Sequence, residues 1–455
     1  MARMGGLRQG VSRIALLMLL AVSLAACSTV KGWTGKDEDE EKTPPRLPGE
    51  RLTVMSSQSD IAIDPALEKV DFRAVKVLEN QSWPQRGANP SNALGAVKVS
   101  GLKPKDSARI GSGEEWGTVL VTAPVVADGV VYAMDAKGYI SAHRTENIDK
   151  VLWVSDVPVV DEDEDILGGG LAVAGGQLFV STGQGDVFAI NAQDGSRIWK
   201  RGVGSPMRSA PKLQQGMIYV TTVDDQLFAL DSANGAILWQ HRGLGERVGF
   251  LSAVSPAIGE NIVVVTYASG EIYGLAADTG QELWNDSLAM TVKTSATSVF
   301  TGFDGDAVIA GGVAFASSNN GLSAATHLLS GRRLWEQEIS AADTPWLAGN
   351  YLFLLTSDAQ VAAVYARDGR VKWVHKLDRY EDPERQRKPY RWFGPMMLGE
   401  QLAVFGGHGE MVLISPQDGM VTGTLDTPEG LRTAPIVADG AVYMITQDAT
   451  LHVLR

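Results

Sequence analysis

The residues of this chain with the means to do chemistry are few and far apart. There is one cysteine, Cys27, and there are six histidines, His143, His241, His327, His375, His408 and His452, none at the spacing that metal ligands require. No Gly-x-Ser-x-Gly turn marks a serine nucleophile, and no His-Glu-x-x-His helix marks a zinc hydrolase. The acidic run Asp161-Glu162-Asp163-Glu164-Asp165 has the carboxylates that a hard cation prefers. It lacks the glycine turn and the spaced ligands of a calcium loop, so a solvated connection is expected there. The histidines read as packing or turn residues. The expectation is a chain with no catalytic residues, no metal and no cofactor.

The elements that carry these residues repeat. Glycine, three residues and then tryptophan recur as Gly195/Trp199, Gly235/Trp239, Gly280/Trp284, Gly331/Trp335 and Gly369/Trp373, 38 to 51 residues apart. That period is the length of one β-propeller blade. Each pair follows a short alternating run such as Leu227-Phe228-Ala229-Leu230, and the apolar spacing of two excludes a helix. Glycine after Asn or Asp supplies the positive φ of a hairpin turn. The tryptophan falls on the outermost strand, where its ring can cover the seam to the next blade. Units open at Ala123-Pro124, Gly170-Leu171, Ala210-Pro211, Ser255-Pro256, Asp306-Ala307, Thr344-Pro345, Gly394-Pro395 and Ala434-Pro435. The predicted fold is therefore all-β, an eight-bladed β-propeller of four-stranded antiparallel blades. The seventh unit has Gly423 where tryptophan is expected, and the eighth ends at Arg455 after three strands. An N-terminal strand from the stretch between about Val97 and Ile110 is expected to complete it and hide the open edge.

A net charge of −13 argues against nucleic-acid binding, which needs a basic face. Arg3, Arg8 and Arg13 precede an apolar run that ends Leu24-Ala25-Ala26-Cys27. This resembles the cleavage box of bacterial lipoproteins, which implies an acylated Cys27, and Ser28 after it resembles the pattern sorted to the outer membrane. The alternative is an ordinary secretory peptide cut near Ala26. Residues 36–50 are acidic and then proline-rich, the composition of an extended tether. The expected organisation is a signal peptide over residues 1–26, a flexible tether over 27–72 and a propeller over 73–455.

The Ala-Pro start, Asp-Gly turn and Gly-x-x-x-Trp end resemble the pyrroloquinoline quinone enzyme repeat, and Trp83-Pro84-Gln85-Arg86-Gly87-Ala88-Asn89-Pro90-Ser91 resembles the opening of chains of this class. Repeats together with the lipoprotein box resemble the lipoprotein B subunits of the β-barrel assembly machinery. That resemblance implies a scaffold without enzymatic activity, anchored in the outer membrane and facing the periplasm, a monomer within a hetero-complex. It would bind the periplasmic domains of the central barrel-inserting subunit and assist insertion of β-barrel proteins. In that family the loop between the third and fourth blades carries leucines and an arginine that contact this subunit. Val248 and Phe250 match the leucine positions counting back from Pro256, Leu251 stands in the arginine's place, and Arg247 could substitute for it. Phe250 and Leu251 could equally pack between blades. The family's acidic partner residues correspond to Asp304 and, more loosely, Asp306, both of which could also be turn formers. A second loop, residues 378–393, holds Arg385, Arg387, Tyr390, Arg391 and Trp392, the residue types that interface hot spots favour. Pairing within the loop to Glu381, Asp382 and Glu384, lipid head groups and an acidic partner are its open readings. The other function class is a periplasmic quinone-dependent dehydrogenase, whose frequent adjacent cysteine pair is absent here.

Overall fold

Five of the units open on a proline with an inner strand directly after it, at Pro124, Pro211, Pro256, Pro345 and Pro435, whereas Gly394-Pro395 lies inside the strand Trp392–Leu398. Residues 61–115, 122–157, 168–244, 254–288, 303–319 and 321–455 are described in the computed structural model. Cys27, the acidic run 161–165 and Arg247, Val248, Phe250 and Leu251 lie outside them. The chain divides into two units, Met1–Ser57 and Gln58–Arg455, and every described residue belongs to the second.

The described residues are all-β apart from one 3-10 turn, Pro65–Leu67. Among the described residues seven sheets have four strands, and an eighth carries four antiparallel strands plus two short parallel ones. The third unit shows the pattern, with Lys212–Gln214, Met217–Thr221, Gln226–Asp231 and Ile237–Arg242 forming an antiparallel meander in sequence order. The three inner strands are largely buried and the outer one largely exposed. This is the four-stranded architecture of a β-propeller.

Gly-x-x-x-Trp is the device that joins one sheet to the next. The indole N–H of Trp239 donates to the carbonyl of Ala277 in the following unit at 3.0 Å. Trp153, Trp199, Trp284, Trp335 and Trp373 make the equivalent bond to Ala192, Ser232, Leu328, Ala366 and Pro416. The glycine of each motif lies against the tryptophan of the preceding unit, with no room for a side chain. A Cβ on Gly280 (φ +70°) would sit 2.5 Å from the Trp239 ring. Within its own sheet each tryptophan faces a small residue: Ala189 opposite Trp199, Ala229 opposite Trp239, Gly274 opposite Trp284, Ala325 opposite Trp335 and Ala363 opposite Trp373. In the seventh unit the sizes are exchanged, with Leu413 opposite Gly423. Bulk is conserved where the motif is not.

The N-terminal segment departs from expectation at two places. Ala96–Val97 does not join the last sheet; Val97 pairs in parallel with Leu398 of the seventh unit. The six residues Pro104–Arg109 run antiparallel to Thr450–Leu454, with Ser107 opposite His452, in a sheet completed by Ala441–Thr446 and Ile436–Ala438. The expected tether also ends earlier than residue 72. Ile63 bridges Val371, Asp64 caps the Pro65–Leu67 turn and pairs with Arg370 at 3.0 Å, and Leu67 is buried. The buried Lys372 ammonium donates to the carbonyls of Leu67 and Val70, and Phe72 packs on Phe353. Apolar Leu67 and Phe72 hold this stretch on the sixth sheet, a signal the acidic and proline-rich composition of residues 36–50 masks.

Candidate functional site

The innermost strands leave one edge of hydrogen-bonding groups unpaired, and such groups must be satisfied when buried. Residues 80–99 do this unit by unit. Trp83 exchanges two backbone bonds with Val126, and the Pro84 carbonyl accepts from Val173 at 2.7 Å. The Gln85 amide pairs with both backbone groups of Leu213. The carbonyls of Pro90 and Ser91 accept from Ile258 and Ile309, and that of Gly95 accepts the Trp346 indole N–H. The Val97 carbonyl accepts from Gly399, and Asn80 binds Asp439 and Val437. Among the described residues, one peptide segment thus meets each of the eight larger sheets at or beside its inner strand.

Two buried charges fix it. Asp306, 1 % exposed, takes Arg86 at 2.8 Å and also accepts the Ser255 amide at 2.8 Å. Lys212, fully buried, donates to the Arg86 carbonyl at 2.5 Å and to the Asn92 side chain. Burial pushes its ammonium down to about 7, with Asp306 pulling the other way and Arg86 adding repulsion. Sequence places Asp306 at a partner surface; in the structure its carboxylate is buried and turned onto Arg86 and the Ser255 amide, which leaves it nothing to offer a partner. Asp304, two residues earlier, is exposed, lines the central cavity and has its carboxyl pushed up by the surrounding protein, against a hydrogen bond from Asn319.

The central cavity measures about 910 Å³. Trp83, Arg86 and Asn92 of the N-terminal segment border it, and the residues leading into the inner strands form its sides, among them Arg208, Asp304, Asp343, Arg391 and Arg432. Burial raises the Asp343 carboxyl, opposed by hydrogen bonds from the Gly394 and Thr344 amides. Burial lowers Arg391, and Arg432 beside it adds repulsion. Arg432 is held by Glu114 at 2.5 Å.

The basic-aromatic loop divides into two parts. Tyr380–Asp382 and Arg387–Pro389 form a hairpin on which Lys388 pairs with Glu381 at 2.7 Å and Arg385 approaches Asp382 at 3.9 Å, while Arg387 is exposed. Tyr390 stacks on His408 at 3.8 Å, and Trp392 is buried at the start of an inner strand with its indole on the Asp378 carbonyl. Arg391 lies between them, over the Phe393 ring at 5.0 Å. The histidines sit in separate local environments: His143 is buried between Ile148 and Ser141, His241 bonds the Tyr267 hydroxyl, and His452 meets Thr446. Among the described residues no three His, Cys, Asp or Glu side chains converge as a metal site.

Residues 128–375 match the family described as outer membrane protein assembly factor BamB. The chain belongs to that family. It is 32 % identical over 368 residues to the BamB of Xanthomonas campestris pv. campestris, covering 79 % of each chain. It is 28 % identical over 339 residues to that of Escherichia coli, covering 72 % of this chain and 83 % of the relative. The crystal structure of BamB from Moraxella catarrhalis superposes with a TM-score of 0.66 at 19 % identity, over 78 % of this chain and 99 % of that one. A quinohemoprotein alcohol dehydrogenase from Comamonas testosteroni superposes with a TM-score of 0.61 at 13 % identity, over 86 % and 82 %. These likenesses speak for the propeller fold, which enzymes and scaffolds share.

Proposed function

We propose that this chain is a scaffold of outer-membrane protein assembly with no chemistry of its own. It binds the periplasmic domains of the central barrel-inserting subunit and assists insertion of β-barrel proteins. The carrying observation is the BamB family match over residues 128–375, joined to relatives whose name is that of an outer membrane assembly factor. The sheets are read as eight blades of one ring, closed by Pro104–Arg109 beside the C-terminal strand. Acylation of Cys27 anchors the ring to the outer membrane, facing the periplasm, as a monomer within a hetero-complex.

The partner surface is assigned to the loop holding Arg247, Val248, Phe250 and Leu251 together with Asp304. Asp304 supports this because it is exposed while its neighbours Phe303 and Asp306 are buried. Connections between blades are the parts of a propeller free to bind, since strands are occupied by pairing and packing. The dehydrogenase reading finds no fit in the residues present. The lone cysteine is Cys27, and the cavity's two carboxylates, Asp304 and Asp343, are interleaved with arginines.

Affinity purification of the anchored protein in mild detergent, with identification of co-eluting chains, tests the proposal. Recovery of the barrel-inserting subunit is expected; reproducible recovery without it counts against the proposal.

A further inference from the structure

The central cavity has an electrostatic character opposite to that of the protein. The chain carries a net charge of −13, yet five arginines, Arg86, Arg208, Arg379, Arg391 and Arg432, line the cavity against two carboxylates, Asp304 and Asp343. Arg86 and Arg432 are engaged by Asp306 and Glu114. No carboxylate among the described residues lies within ion-pair distance of Arg208, Arg379 or Arg391; Asp343, Asp304 and Glu114 attract the Arg391 guanidinium from farther off, whereas no such attraction acts on Arg208. Arg379 and Arg391 instead lie over the rings of Tyr380 and Phe393, at 5.3 and 5.0 Å. Arg208 is half-buried, and burial alone lowers its guanidinium.

A guanidinium withdrawn from water without a partner is costly, and a carboxylate ligand removes that cost through charge-assisted, often bidentate hydrogen bonds. The wall between the arginines is aromatic, with Trp83, Trp346, Trp392, Tyr390 and Phe393. At about 910 Å³ the space far exceeds the roughly 30 Å³ share of one water, and so suits a chain of residues better than a single ion.

We infer that the cavity is a docking site for an acidic peptide segment of a partner chain, its carboxylates on Arg208 and Arg391 and its apolar side chains on the tryptophan-rich wall. The inference goes beyond the partner surface proposed above. It rests on the cavity alone and stands or falls without the barrel-inserting subunit. The excess of arginines over carboxylates in the lining also draws such a segment inward.

The test uses the full-length chain in mild detergent and a fluorescein-labelled hexapeptide of alternating glutamate and phenylalanine, with its glutamine-for-glutamate twin as comparison. Fluorescence anisotropy is expected to show saturable binding of the glutamate peptide at low salt, at least tenfold tighter than the twin and weakening as salt is raised. Arg208→Gln and Arg391→Gln should each lower the affinity about tenfold or more, the size of one charge-assisted hydrogen bond. Arg197→Gln, on the exposed outer strand Arg197–Gly202, should leave it unchanged. Retained near-ultraviolet circular dichroism identifies the folded variants. Equal binding of the two peptides, or indifference to both cavity variants, overturns the assignment. Competition by inorganic phosphate that abolishes all peptide binding at equal charge concentration would make this a small-anion site and overturn it as well.

Discussion

Replacing Gly280 with alanine isolates what the Gly-x-x-x-Trp motif contributes to a seam. Gly280 has φ +70°, and an added Cβ would lie 2.5 Å from the Trp239 ring. Gly216 has a similar φ of +80°, but the nearest atom to its Cβ is the Ser232 hydroxyl at 3.9 Å. Gly216→Ala therefore costs only the left-handed backbone, about 1–2 kcal/mol. Gly280→Ala carries that cost and must also displace a buried indole that bonds the next unit, an overpacking penalty of about 1–3 kcal/mol more. Trp239→Ala alone removes a buried ring and should cost about 3–5 kcal/mol. Once the ring is gone the clash is gone, so Gly280→Ala in the Trp239→Ala background should fall back to the cost of Gly216→Ala. The two residues should be coupled by about 1–3 kcal/mol. Urea titrations followed by near-ultraviolet circular dichroism measure all four variants. Equal losses for Gly280→Ala and Gly216→Ala, or additivity of the Trp239 and Gly280 changes, would refute the account of the seam.

Three further outcomes are expected. Lys212 has a folded pKa of about 7, below the roughly 10.4 of an unfolded lysine, so between these pH values the unfolded chain holds a proton that the folded chain lacks, and stability rises with pH. Lys212→Met should lose this rise, on the order of 4 kcal/mol across the window at about 1.4 kcal/mol per pH unit; a flat difference between the two stability curves from pH 6 to 10 would contradict it. Deleting residues 104–109 strips the partner from the strand Thr450–Leu454 and should abolish a single cooperative melt, whereas deleting residues 28–50 should leave it intact; equal melting of the two is the contrary result. Cys27→Ala should move the protein out of the outer-membrane fraction, and unchanged partition would place the anchor elsewhere.

The blades were legible because their determinants are local. An Xaa-Pro start, an Asn/Asp-Gly turn and a tryptophan four residues after glycine recur within one unit. The strand shortage at Arg455 pointed to a partner from the stretch between Val97 and Ile110, of which Pro104–Arg109 pairs with Thr450–Leu454 and Val97 does not. The peptide running along the inner strands was not legible, although its first residues were singled out. Its bonds use the carbonyls of Pro84, Pro90, Ser91 and Gly95, which no side-chain pattern encodes. Asp306 read as a loose match to an acidic partner residue or as a turn former; its partner Arg86 lies 220 positions away in sequence. Lys212 was the available signal for that core, a lysine amid the apolar inner-strand positions between Pro211 and Leu213. Arg379 and Arg391 share the basic loop 378–393, which the sequence does show, but Arg86, Arg208 and Arg432 lie far from it along the chain and only the fold brings them to one cavity.

The most direct test of the central claim is the affinity of this chain for the purified periplasmic domains of the barrel-inserting subunit, measured for wild type, Asp304→Arg and the Phe250→Ser/Leu251→Ser double variant. Folding of each is checked by circular dichroism. Both variants are predicted to weaken binding roughly tenfold or more, as loss of a hot spot of about 1–3 kcal/mol requires, with the Asp304 effect larger at low salt. Wild-type affinity in both folded variants would contradict the proposed surface, and no measurable binding of the wild-type chain would contradict the function itself.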